Sequence, residues 1–115
     1  ILLDYPGAQG IIQASWNWPY SRKDLEVYTA NGYAHANGGN RLRLLRPKSK
    51  EEEIVSPPGL PPDERDPVSY LIAAVQGRLQ PSGLSSLENN LIATDILVAA
   101  RESARTGRTV TPAGA

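Results

Sequence analysis

Trp18, Tyr20, Arg22 and Lys23 crowd into one short stretch, and they are the residues whose types could best contact a ligand. Aromatic rings beside cationic donors at a strand end make a wall suited to a polyhydroxylated ligand. These four are the candidate substrate-binding residues. The other candidates for chemistry are poorer. His35 is the only histidine, and a hydrolytic triad can be drawn from it with Ser15, Ser21 or Ser69 and an aspartate. No G-x-S-x-G elbow supports such a triad. Beside Asn37-Gly38, His35 reads as a polar residue on an edge strand, so no catalytic residue is assigned. A metal is not expected either, because one histidine and no cysteine cannot supply the usual ligand cluster. Glu51-Glu52-Glu53 is a solvated carboxylate run without the spaced ligands and glycine of a calcium loop.

No glycine pattern for cradling phosphates is present, and Gly38-Gly39 fits a turn between strands. Arg41, Arg43, Arg46, Lys48 and Lys50 form one basic cluster. With Tyr33 as a stacking platform it could face nucleic acid. An edge strand kept soluble by its charge explains the same residues more simply. The chain as a whole favours that explanation, since its 12 basic and 12 acidic residues cancel. Neither nucleic acid nor an anionic membrane is expected as a partner.

The 115 residues suffice for one domain. No apolar run is long enough to span a bilayer. Without cysteine, the redox compartment stays open. The absence of methionine and the apolar opening Ile1-Leu2-Leu3 suggest a piece of a longer protein.

The elements that must position these residues begin with strands. Ile1 to Tyr5 reads as a strand, and Pro6 to Gly10 as a turn. The next strand carries the alternation Ile12, Ala14, Trp16, Trp18 up to Pro19, which places Trp16 in a core. Asp24 to Thr29 alternates again. Asn31-Gly32 then signals a type I′ hairpin, with Tyr33 to Ala36 as the return strand. Arg41 to Arg46 sets Leu42 and Leu44 opposite Arg41 and Arg43. Residues 1–46 are thus an antiparallel meander of about five strands. Residues 47–65 are a connection rich in proline and charge, with a short strand at Glu53-Ile54-Val55.

Residues 66–110 hold two helices and a short end strand at Thr109-Val110. Asp66 caps the first helix and Pro67 takes its first position. Val68, Leu71, Ile72, Val75 and Leu79 form its apolar stripe. Ser85 and Glu88 have capping-box spacing for the second helix. Leu87, Leu91, Ile92, Ile96, Leu97, Ala99 and Ala100 give it a wide apolar face, and Gly107 closes it. Thr111 to Ala115 reads as a frayed tail. The order predicts an α+β fold: a mostly antiparallel sheet with two C-terminal helices packed on one face. It leaves the other face, with Tyr28 and Leu45, free for a partner.

Four stretches carry a resemblance: GIIQASWNWPYSRKDLEVY (Gly10 to Tyr28), Asn31-Gly32-Tyr33, DPVSYLIAAVQGRL (Asp66 to Leu79), and SLENNLIATDILVAARESARTGRTV (Ser86 to Val110). Together they resemble the C-terminal domain of the glucose–fructose oxidoreductase / inositol dehydrogenase (Gfo/Idh/MocA) family, most specifically in the last stretch and least from Ala34 to Arg65. The resemblance implies a parent enzyme that uses NAD or NADP to oxidise or reduce sugars and polyols. The family's glycine-rich cofactor loop, its Glu-Lys-Pro lysine and its aspartate–histidine pair do not occur in this sequence. His35 is outside the family's histidine motif.

The chain is therefore expected to be a partial C-terminal domain without its Rossmann domain. It would bind no cofactor and carry out no catalysis by itself. Its implied partners are that Rossmann domain and further copies of itself, joined through the exposed sheet face. The expected compartment is the cytoplasm, or the periplasm if a leader precedes Ile1. The alternative is a non-enzymatic α+β binding or assembly module.

Overall fold

The structure is a computed structural model that describes residues 1–112. It is α+β, with two antiparallel sheets and two helices. The chain divides into two compact units. One is Ile1–Ile12 with the chain from Pro61 onward; the other is Gln13–Leu60.

In the first unit, β1 (Leu2–Tyr5) and β2 (Ala8–Ile11) form an antiparallel hairpin, with Leu2 opposite Ile11 and Tyr5 opposite Ala8. Only Pro6 and Gly7 make the turn. The expected continuation of this strand to Trp18 does not occur. β2 ends at Ile11, the Ile12 N–H still donates to the Ile1 carbonyl at 2.9 Å, and no described strand pairs with residues 13–18. A strand needs a neighbour for its backbone groups, and alternation of side chains does not supply one. Trp16 is consequently fully exposed and is not a core residue.

The first helix, α1 (Pro67–Val75), starts where its cap demands. Asp66 Oδ1 accepts from the N–H groups of Val68 (3.0 Å) and Ser69 (2.9 Å), and Pro67 sits at the first helical position. Gly77, at φ 71°, turns the chain away after the Gln76 cap, so Leu79 lies outside the helix. Arg78 then reaches back to Asp63 through two hydrogen bonds of 3.1 and 2.8 Å.

A 3₁₀ turn (Gly83–Ser85) leads into α2 (Leu87–Thr106). The cap is Ser86 and not Ser85: Ser86 Oγ accepts from the Asn89 N–H at 3.2 Å. The 3₁₀ turn takes Ser85 for itself, and the Asn89 side chain donates back to the Gly83 carbonyl at 2.6 Å. Gly107, left-handed at φ 67°, closes α2 by donating to the Ser103 carbonyl. Thr109 and Val110 form no strand. Of the expected tail, residues 113–115 lie outside the described residues.

The second unit is a four-stranded antiparallel sheet in the order β3 (Asp24–Thr29), β4 (Gly32–Asn37), β5 (Leu42–Leu45) and β6 (Glu53–Val55). Residues 1–46 thus hold the five expected strands and Glu53–Val55 the expected short one, but they are divided between two sheets and do not form one meander. The β3–β4 turn is Ala30-Asn31, with Thr29 opposite Gly32. Neither Asn31 nor Gly32 has positive φ, so the expected type I′ turn is absent. Gly32 answers a different need. A Cβ there would collide with the Leu45 carbonyl oxygen of β5 and stand 3.2 Å from its carbon.

Period-two alternation sorts this sheet into two faces. On one, Leu25, Ala36, Leu42 and Val55 form a cross-strand row, followed by Val27, Ala34, Leu44 and Glu53. On the other stand Glu26, His35, Arg43 and Ile54, followed by Tyr28, Tyr33 and Leu45. No side chain on the apolar face is buried. Among the described residues only Ala73 and Ala99 are buried, while Val68, Leu71, Ile72 and Val75 of α1 and Leu87, Leu91, Ile92 and Leu97 of α2 are exposed.

Candidate functional site

The segment entering β3 carries the four residues expected to form a substrate wall. Two of them meet. The Arg22 guanidinium lies 5.0 Å from the centre of the Trp18 ring, within cation–π range, and Trp18 is half-buried. Arg22 Nε also donates to Asp24 Oδ2, and that hydrogen bond, then the charge of Asp24, holds the guanidinium above its ordinary pKa. Tyr20 and Lys23 are exposed, and neither forms a side-chain hydrogen bond or ion pair among the described residues.

Asp24 stands opposite Asn37 in the β3–β4 register, on the polar face of the sheet. This face holds a cluster that sequence reasoning did not assemble. Arg43 grips Glu52 with two hydrogen bonds, Nε to Oε1 at 2.9 Å and Nη2 to Oε2 at 2.8 Å. The Tyr33 hydroxyl donates to Glu52 Oε2 at 2.8 Å. These donors, Arg43 first and Tyr33 second, lower the Glu52 carboxyl below its ordinary pKa. The same hydrogen bond raises the Tyr33 phenol, since losing its proton would set two negative charges together. Tyr28 behaves likewise toward Glu26, to which its hydroxyl donates at 3.0 Å.

His35 packs inside this cluster. Its ring stacks on Tyr33 at 4.4 Å and meets Tyr28 edge-on at 5.1 Å. Its Nε2 is buried without a hydrogen-bond partner. The expectation of an edge histidine is corrected, because β4 lies between β3 and β5. Arg43 does not belong to an edge strand either, since β5 lies between β4 and β6, and Arg41 lies just before β5. Beside His35 a pocket of about 520 Å³ is lined by His35, Asn37, Asn40, Arg41, Arg43 and Ser56, with Gly39 and Ile54 completing it.

The signal for this cluster was the register. Tyr28, Tyr33, His35 and Arg43 fall on one face once β3, β4 and β5 are paired. Glu52 carried no such signal, because it precedes a three-residue strand and sits among other glutamates. Among the described residues no group of three or more histidine, aspartate or glutamate side chains is arranged to hold a metal ion. No described helix is long and apolar enough to cross a membrane. Comparison with models of protein families, with curated proteins and with solved structures finds no match for this chain.

Proposed function

We propose that this chain is an assembly segment, whose apolar sheet face joins it to further copies of itself within a larger oxidoreductase. The enzyme is the one the sequence resemblance implies: NAD- or NADP-dependent, acting on sugars or polyols, with the cofactor held by a Rossmann domain outside this sequence. The observation that carries the assembly role is the uncovered apolar surface, which is the face of Leu25 and Val27 and not, as expected from the sequence, the face of Tyr28 and Leu45. Leu25 and Val27 are 64 % and 47 % exposed, and Leu42 and Leu44 beside them are only half-buried. Ala34 and Ala36 of β4 lie between these larger residues in the cross-strand rows, so small side chains there leave room for the residues of a facing sheet. A Leu or Val side chain gains about 1.5–3 kcal/mol on full burial, so the face contributes most when it is covered.

In this reading Trp18 and Arg22 form part of the substrate wall, with Tyr20 and Lys23 at its rim. The chain holds no cofactor and transfers no hydride. That step needs a nicotinamide held against the reacting carbon and a group to take the proton. The test of the oxidoreductase assignment is the coding sequence upstream of Ile1. A strand–G-x-G-x-x-G–helix unit is expected there. An upstream sequence without one overturns the enzyme assignment and leaves an α+β assembly module without catalysis.

A further inference from the structure

The pocket beside His35 differs in character from the chain around it. The protein is neutral overall, yet two arginines and a histidine line this pocket and no carboxylate does. Glu26 stands opposite His35 on β3, but it accepts from Tyr28 and is not part of the lining. Arg43 is held in a fixed orientation, because Glu52 occupies its Nε and Nη2. Its Nη1 has no protein partner among the described residues. Arg41 forms no ion pair among the described residues, and it shares the pocket with the side-chain amides of Asn37 and Asn40 and the hydroxyl of Ser56.

A guanidinium pinned by a carboxylate loses little freedom when it binds a further oxygen. A free guanidinium beside it supplies net positive charge, and the amides and hydroxyl supply neutral donors. The volume, about 520 Å³, suits a small molecule. We propose that this face of the sheet binds a small oxyanion-bearing molecule, whose phosphate or carboxylate group is held by Arg41 and by the free edge of Arg43. The site lies on the face opposite Leu25 and Val27, so it stands or falls independently of the assembly role.

The test is a titration of the full chain with inorganic phosphate and, separately, with citrate, followed by amide chemical shifts. Sodium chloride at matched ionic strength is the control. Saturable shifts confined to Asn37–Arg43 and Ile54–Ser56 are expected with at least one of the two anions. Saturation by phosphate alone assigns a phosphate ester, and saturation by citrate alone assigns a carboxylate. Arg41→Gln removes a charge-assisted contact and is expected to weaken binding by roughly tenfold or more. Arg46→Gln is the control, because Arg46 pairs with Glu53 and does not line the pocket. The proposal is overturned if neither anion saturates, if chloride reproduces the shifts, or if Arg41→Gln binds as tightly as the unaltered chain.

Discussion

Arg43 and Glu52 meet fork to fork, through hydrogen bonds of 2.9 and 2.8 Å, and Tyr33 closes the same carboxylate from the adjoining strand. This contact ties the approach to β6 onto β4 and β5. Because Glu52 is lowered from its ordinary carboxyl pKa, the stability it contributes is complete above the unfolded value, about 4.3. It is lost as pH falls through the lower folded value. Thermal melts of the unaltered chain and of Glu52→Gln are expected to differ at neutral pH and to converge in acid. The Tyr33 phenol, followed by ultraviolet titration, is expected to return toward its ordinary pKa in Glu52→Gln. A Tyr33 titration that does not move would contradict the contact.

Gly32 lies against the Leu45 carbonyl, and no side chain is there to give way. Gly32→Ala is expected to destabilise the sheet by about 1–3 kcal/mol, the usual range for forced overpacking. Gly39→Ala, with nothing within 4 Å of its Cβ, is expected to be tolerated. Urea unfolding of both variants measures the difference.

The caps of the two helices show how much of the fold was legible in the sequence. Asp66-Pro67 was readable because an acceptor and a fixed φ occupy the only positions that serve the helix start. Spacing to Glu88 pointed to Ser85, whereas Ser86 is the cap. The 3₁₀ turn decides between them, by using Ser85 as its last residue. Ser86→Ala is therefore expected to cost about 1 kcal/mol, and Ser85→Ala much less. Helical circular dichroism during thermal unfolding ranks the two, and the reverse order would contradict the assigned cap.

Trp16 and Trp18 show where pattern misleads. Their alternation is that of a strand, but among the described residues no strand pairs with theirs. One ring is left in solvent, and the other is half-covered against Arg22. In Trp16→Phe, the remaining emission from Trp18 is expected to resist acrylamide quenching more than that of the unaltered chain. Adding Arg22→Ala is expected to remove part of that protection. The pocket was hidden for a related reason. Its residues come from β4, β5 and β6 and the segments flanking them, and only the pairing register brings them together.

The acid behaviour of α1 follows from its cap. Asp66 is lowered chiefly by its hydrogen bond from the Ser69 hydroxyl, with the Ser69 backbone N–H next. The helix contribution is thus complete above the ordinary aspartate range and is lost as pH falls through the lowered value. Amide exchange at Val68 and Ser69 is expected to stay slow through that range and to rise below it. In Asp66→Ala it is expected to be fast at every pH.

Sedimentation velocity of the full chain over a broad concentration series tests the assembly role most directly. The mass is expected to exceed that of the 12.4 kDa monomer and to rise with concentration, and Val27→Lys on the apolar sheet face is expected to return it toward the monomer. A chain that stays at 12.4 kDa throughout, and unfolds cooperatively as that monomer, would contradict it.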